Sequence, residues 1–263
     1  MKKESGKKKY LAGHQRSWVW GRHAVAEILE AAKWPMRELY LADDIQETHI
    51  EALQQQARAL GAAVAIVSRD RLRRLCGVSG HQGVLARMGP YPYMTLEGML
   101  EHSTRMPSPP LWLVLDALRD PNNFGALVRS AAALDATAVI VSDTEQTPVN
   151  NHVARASAGA VNRIPIVQTD SLPKALACLR EAGTRCAAAD PRGVLPAWRY
   201  DFTQATALVL GNESNGIHTE LLDLCDARVV VPGSGSLDSL NVAAAGAALL
   251  YEALRQRSAF PSK

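Results

Sequence analysis

Val229 to Arg255 reads VVVPGSGSLDSLNVAAAGAALLYEALR. The β-branched run Val229-Val230-Val231 has the character of a buried strand, and Pro232 stops it. Gly233 and Gly235, with Ser234 and Ser236, make a turn where backbone can approach a ligand closely. After Asn241 the pattern turns helical and is crowded with small residues: Ala243, Ala244, Ala245, Gly246, Ala247 and Ala248. A helix face this small lets another backbone come very near. Strand, glycine-rich turn, polar corner and tight helix together read as a binding site built from backbone.

At 263 residues the chain is long enough for one large domain or two ordinary ones. With 47% hydrophobic and 21% charged residues, its composition is globular rather than disordered. No apolar run approaches the roughly 18 residues of a membrane span. The basic start MKKESGKKKY leads into no apolar signal core, so a cytoplasmic protein with no membrane partner is expected. Cys76, Cys178, Cys186 and Cys225 form no C-x-x-C pair and suit reduced thiols. The seven histidines are scattered without ligand spacing, so no metal is expected. The net charge of +3 is too small to argue a nucleic-acid partner by itself. Lys2, Lys3, Lys7, Lys8 and Lys9 do concentrate charge in an arm over residues 1–16. Such an arm either keeps the chain soluble or touches phosphates without sequence preference.

Residues 17–88 alternate strand and helix patterns and read as a small α/β unit. Val25, Ile28 and Leu29 share a helix face, 49–60 is an amphipathic helix ended by Gly61, and 63–67 is a buried strand. Residues 71–76 form a short basic helix with Arg71, Arg73 and Arg74 outward, and a further strand follows His81-Gln82-Gly83. Residues 89–110, with Pro90, Pro92, Pro107, Pro109 and Pro110, read as a semi-rigid linker. From 111 to 263 the alternation resumes on a longer scale. Strands are expected over 111–115, 138–141, 163–167, 185–188, 207–210 and 227–231, with helices over 124–134, 151–157, 172–182, 218–224 and 242–255. Near-continuous apolar strands with helices between them indicate a mostly parallel sheet covered on both faces.

Three segments of this second half each end a strand in a polar or glycine-containing loop, where parallel sheets bind ligands. The first is LDALRDPNNFGALVRSA, residues 115–131. Asp120 and Asn122 suit a turn and a helix cap, whereas Asn123 and Gly125 set an amide beside free backbone N–H groups. Arg129, six residues on from Asn123, would need an anionic or polar partner if buried. The second, LVLGNESNGI over 208–217, puts Glu213 between Gly211 and Gly216. The third is the stretch quoted first, where Asn241 taken alone is equally a helix cap.

In this order the three segments, D-P-N-N-F-G-x-x-x-R-S-A, L-G-N-E-x-x-G and V-P-x-x-G-S-x-x-S-L-N-V, closely resemble the motifs of the SpoU/TrmH-like RNA 2′-O-ribose methyltransferases. These belong to the SPOUT superfamily, and the resemblance covers about residues 111–257. The first 88 residues, through Gly21-Arg22-His23-Ala24-Val25 and His81-Gln82-Gly83-Val84, resemble the small RNA substrate-binding domain that many such enzymes carry. The resemblance implies a C-terminal sheet closed by a deep trefoil knot, S-adenosylmethionine as cofactor, and a homodimer with the active site near its interface. It assigns cofactor binding to Gly211, Val231 and Leu240, and catalysis to Asn123, Arg129, Glu213, Ser239 and Asn241. Arg129 is the residue that the resemblance links to activation of the ribose hydroxyl. A guanidinium is a poor general base, so electrostatic activation of the 2′-oxygen and contact with the target phosphate are the roles expected of it, and which group removes the proton is left open. Glu213 would orient the arginine, while Asn123, Ser239 and Asn241 hold loops and substrate. The chain departs from the family pattern at Asp238, where a small polar residue or Glu is usual, and at Ala243, where Ser is common.

The extra N-terminal domain favours ribosomal RNA over tRNA as the substrate. A catalytically inactive RNA-binding or ribosome-assembly protein of the same fold is the alternative from another class. Retention of all five matched polar residues argues against it. A dinucleotide-binding reading fails because Asp238 stands at the third glycine position and no acidic residue follows at the required distance. The lone S-x-x-K at Ser171–Lys174 has no companion motif.

Overall fold

A computed structural model gives the fold and describes residues 18–45, 47–212, 214–234 and 239–258, apart from the side chains of residues 47–49. In its first part, β1 (Trp18–Trp20), α1 (Arg22–Ala31), β2 (Met36–Ala42), α2 (Glu47–Ala59), β3 (Ala63–Val67), α3 (Arg69–Cys76) and β4 (Val84–Met88) follow one another. The second part comprises α4 (Leu96–Ser103), β5 (Leu111–Leu115), α5 (Pro121–Ala133), β6 (Ala138–Ser142), α6 (Asn151–Ala156), β7 (Ile166–Thr169) and α7 (Leu172–Glu181). It continues with β8 (Arg185–Ala189), β9 (Leu195–Pro196), β10 (Thr206–Leu210), α8 (Thr219–Leu222), β11 (Ala227–Val230) and α9 (Val242–Arg257). Two compact units result: residues to Pro92 together with Val149–Arg163, and Tyr93–Pro148 together with residues from Ile164 onward.

In the first unit the strands lie in the order β1-β4-β2-β3, with β4 antiparallel to both neighbours and β2 parallel to β3. The apolar residues of α1 fall at helical spacing, and Ala24, Val25, Ile28 and Leu29 are buried. Ser68 caps α3 by accepting from the Arg71 amide, and Gly77 ends it in the left-handed region. Leu72 and Cys76 face inward from α3, leaving Arg71, Arg73 and Arg74 exposed as expected. One expectation fails here. The strand at 63–67 is not buried, and Ile66 is 56% exposed. It is the last strand of the sheet, and among the described residues it pairs only with β2. Residues 149–163 join this unit although they lie far along the chain. Asn151 Oδ1 accepts from the Trp20 amide at 3.1 Å, and the Arg163 guanidinium meets Glu27 Oε2 at 2.8 Å.

The second unit holds a seven-stranded sheet in the order β7-β6-β5-β10-β8-β11-β9, with each adjacent pair parallel. Every residue of β5 and β10 is buried, which requires cover on both faces and explains their unbroken apolar runs. Trp112, Val114, Ile140, Leu176, Leu179 and Val209 belong to its core. The fold class expected from the sequence, an α/β fold with a mostly parallel C-terminal sheet and a small N-terminal α/β unit, is the one observed.

Boundaries differ where local chemistry intervenes. Helix α5 starts at Pro121, earlier than the apolar pattern suggested, because Asp120 caps it by accepting from the Asn122 amide at 2.8 Å and proline suits the first turn. Strand β7 starts at Ile166 instead of 163, since Pro165 has no N–H to give a ladder.

Helices α5 and α9 pack together, and Gly246 lies in their contact. A Cβ on Gly246 would lie 2.3 Å from Leu127 Cδ2 and 3.1 Å from Leu210 Cδ2. Both leucines are buried. An ordinary mid-helix Gly→Ala change stabilises by about 1 kcal/mol. We expect Gly246→Ala instead to destabilise by about 1–3 kcal/mol in urea unfolding, because the methyl overpacks the core. In a Leu127→Ala background the same change should become neutral or stabilising. Gly246→Ala that stabilises the otherwise native protein would contradict this packing.

Candidate active site

Strands β8, β10 and β11 are neighbours in the sheet, so the loops at their carboxyl ends meet in one crevice, the usual ligand position in parallel sheets. A cavity of about 620 Å³ lies there, lined by residues 189–192, 210–212, 214–217, 222, 239–242 and 245. A second, of about 290 Å³, is lined by residues 189–191, 229–234, 239, 240, 245 and 249. The two share Ala189, Asp190, Pro191, Ser239, Leu240 and Ala245.

The loop after β10 is held by its own backbone. Asn212 and Gly216 exchange N–H···O bonds at 2.9 Å in both directions. Asn212 Oδ1 accepts from the Ser214 amide at 2.9 Å, and its Nδ2 donates to the Ala117 carbonyl at 2.7 Å, tying this loop to the one after β5. A Cβ at Gly211 would stand 2.2 Å from the Gly216 carbonyl carbon, so no side chain fits there. Asp116, the first residue past β5, is buried and makes a second tie. Its Oδ2 accepts from the His218 amide at 2.7 Å, and its Oδ1 lies 2.9 Å from His218 Nδ1. The hydrogen bond that His218 donates to Asp116, and then the negative charge of Asp116, raise the His218 pKa above the ordinary imidazole value.

The expected site residues are placed as follows. Gly211 and Asn241 line the larger cavity, Val231 the smaller, and Ser239 and Leu240 both. Asn241 caps α9, with Oδ1 accepting from the Ala243 amide at 2.9 Å, while its Nδ2 donates to Asn123 Oδ1 at 3.1 Å. The cap and the motif residue are therefore the same side chain, and it joins two motifs 118 positions apart. Arg129 stands apart. It is exposed on α5, about 9 Å beyond Asn123 along the helix axis, and lines neither cavity. Glu213 and Asp238 lie outside the described residues.

Asp190 was not singled out from the sequence. It follows β8 at the same edge and lines both cavities with only 5% exposure. Its signal was a polar residue directly after an apolar strand, as Asp116 follows β5. Asp116 was quoted within the first motif, but its partner His218 is 102 positions away and no local pattern links them. Among the described residues no group of three or more His, Cys, Asp or Glu side chains is placed to hold a metal ion. Among them, too, no helix is long and apolar enough to cross a membrane.

Residues 110–251 match the SpoU rRNA Methylase family, and residues 18–94 match the RNA 2′-O ribose methyltransferase substrate binding domain. The 23S rRNA (guanosine-2′-O-)-methyltransferase RlmB of Ralstonia nicotianae is 32% identical over 92% of this chain and 97% of its own length. The SpoU methyltransferase AviRb from Streptomyces viridochromogenes, solved in complex with AdoMet, superposes with a TM-score of 0.76 at 28% identity, covering 91% of this chain and 90% of its own. A TrmH/SpoU tRNA modifying enzyme from A. aeolicus matches with a TM-score of 0.51 at 26% identity, over 62% of this chain and 84% of its own.

The Asp116–His218 tie gives a titration test. A proton-monitored NMR titration should show His218 with a pKa above about 6.5, and Asp116→Asn should bring it back toward that value. Because the folded value is raised, the charge part of the pair's contribution to stability is complete below about pH 6.5 and fades as pH rises through the folded value. The stability gap between the wild-type chain and Asp116→Asn should therefore narrow from pH 5.5 to 8.5. A gap that widens over this range would refute the pairing.

Proposed function

The chain belongs to the SpoU rRNA methylase family and is an S-adenosylmethionine-dependent RNA 2′-O-ribose methyltransferase, and we propose that it acts as a homodimer on a guanosine of 23S ribosomal RNA. The observation that carries this reading is the meeting of the second and third motif loops, with the turn at 189–192, around adjoining cavities at the carboxyl edge of β8, β10 and β11, both loops being hydrogen-bonded to the first motif through Ala117 and Asn123. Relatives named for 23S rRNA share both the N-terminal and C-terminal parts of this chain, whereas the tRNA modifying enzyme matches over 62% of it. A ribosomal RNA target puts the action in the cytoplasm.

The crevice fits the cofactor. Backbone at Gly211, Val231 and Leu240 offers N–H and C=O groups to an adenine, and Ile217, Leu240 and Leu249 give it apolar walls. When bound, S-adenosylmethionine supplies an electrophilic methyl group on a sulfonium. The protein's own part is to hold the attacking hydroxyl in line and help it lose its proton. Asn123 and Asn241, bonded to each other where α5 and α9 begin, set two helix N-termini near the target nucleotide's phosphate. Arg129 supplies positive charge beside the 2′-oxygen, which lowers the cost of the developing alkoxide. Glu213 orients that guanidinium, and Ser239 holds the loop against the substrate.

The homodimer reading rests on the α5 and α9 surface. Tyr251 is 61% exposed, and Arg129 sits among the small residues Ala126 and Ala133 of α5. A second copy covering this face would give an arginine outside both cavities a place at a subunit interface. We also infer the trefoil knot of the family, supported by the absence of side-chain room at Gly211 and Gly246. In the first unit, the exposed Arg71, Arg73 and Arg74 of α3 suit RNA phosphates.

Transfer of labelled methyl from S-adenosylmethionine to unmodified 23S rRNA tests the activity directly. We expect one 2′-O-methylated guanosine in 23S rRNA and none in tRNA. Arg129→Ala should reduce the single-turnover rate by about 100-fold or more while leaving S-adenosylmethionine affinity within about twofold. No transfer to 23S rRNA, or an unaffected rate in Arg129→Ala, would overturn the target or the arginine's role respectively.

A further inference from the structure

We propose that Asp190 is a cofactor-positioning residue whose free carboxylate oxygen accepts a hydrogen bond from a ribose hydroxyl of the cofactor's adenosine. This rests on the S-adenosylmethionine reading above.

Asp190 is an unusual residue to bury. Its side chain is 5% exposed, and one of its oxygens, Oδ2, has no hydrogen-bond partner among the described residues. Arg228 Nη1 stands 3.8 Å from Oδ2 on a half-exposed side chain, too far to hydrogen-bond. The other oxygen is occupied. Oδ1 accepts from the Arg192 amide at 2.9 Å and from Arg192 Nε at 3.4 Å. A buried carboxylate oxygen left without a donor is costly, so such a group is retained where something else satisfies it.

The residue is also held rigidly. Its amide donates to the Val229 carbonyl at 3.0 Å, and its carbonyl accepts from the Gly193 amide at 2.9 Å. Gly193 in turn sits so close to β11 that a Cβ there would lie 2.7 Å from the Arg228 carbonyl oxygen. The turn over 190–193 therefore cannot easily move away from the sheet edge, which is what a positioning group requires.

Position selects the ligand group. Asp190, like Leu240, lines both cavities, so a ligand occupying both passes it between its two ends. S-adenosylmethionine carries its base at one end and its amino-acid group at the other, leaving the ribose and the sulfonium between them. A carboxylate set against the sulfonium would stabilise a positive charge that disappears on methyl transfer, and so would favour the ground state over the transition state. The ribose diol has no such conflict, and an acidic side chain on a ribose hydroxyl is the solution used in dinucleotide-binding sheets.

The test is a binding cycle by calorimetry on the full chain, with S-adenosylhomocysteine, its 2′-deoxy and 3′-deoxy analogues, and S-adenosylmethionine. The wild-type protein should bind one deoxy analogue about tenfold to a hundredfold more weakly than S-adenosylhomocysteine. Asp190→Ala should bind S-adenosylhomocysteine more weakly by a similar factor, and the deoxy penalty should vanish. Asp190→Asn, which keeps an acceptor for Arg192, should show a smaller loss and a reduced penalty, and serves as the readout if the alanine variant does not fold. A deoxy penalty unchanged in the variants would mean that Asp190 only shapes its loop. Loss confined to S-adenosylmethionine, with the neutral thioether product unaffected, would move the contact to the sulfonium. Either result overturns the proposal, as does equal wild-type affinity for all three thioethers. A wild-type protein that binds none of the four ligands would instead remove the cofactor reading itself.

Discussion

A Cβ at position 211 would stand 2.2 Å from the carbonyl carbon of Gly216 and 2.3 Å from the Ile217 nitrogen. These are backbone atoms, which cannot swing aside as a side chain can, so the chain leaves β10 along this path only with glycine there. The rest of the crevice follows from that close approach. Folding the loop back on itself lets Asn212 reach the Ala117 carbonyl and brings the His218 amide to Asp116, so the loops after β5 and β10 are fixed as one piece. Against that piece stand Ser239 to Val242, which close the larger cavity from the side of α9.

The polar groups around this crevice divide by burial. Asp116 and Asp190 are buried carboxylates at strand ends; Asp116 accepts from the His218 amide of a neighbouring loop, and Asp190 from the Arg192 amide of its own turn. Asn123 and Asn241 bond to one another and begin two packed helices. Arg129 is exposed and separate. A site for methyl transfer is expected to look like this. On the proposed reading the cofactor would be gripped by rigid backbone, where positioning matters most, while the arginine proposed to meet a large RNA lies exposed.

Much of this was legible in the chain. The apolar runs at 111–115 and 207–210 announced central strands because they are covered on both faces, and the three motif loops were legible because each directly follows an apolar strand. Asn241 read as a cap and as a site residue; it does cap α9, and its Nδ2 also reaches Asn123. What escaped was set by contacts between distant residues. The chain pattern cannot show that Asp116 holds His218, or that residues 149–163 leave the second half to pack beside Trp20 and Glu27. The strand at 63–67 looked buried because its residues are apolar, yet burial of an edge strand depends on neighbours that composition does not reveal. Trp18–Trp20 was passed over because three buried residues are too few for alternation to register. Asp190 had the right local signature, but Asp-Pro followed by Gly193 reads first as a plain turn.

The central claim is that the cofactor is held by backbone at the carboxyl ends of β8, β10 and β11. Residue-resolved hydrogen exchange with and without saturating S-adenosylhomocysteine measures it most directly. The account predicts slowed exchange at the amides of Gly211, Val231 and Leu240 and through the turn at 190–193, with little change in the unit formed by residues 18–92 and 149–163. Protection confined to that unit, or absent from the three strand-end loops while the ligand is bound, would contradict it.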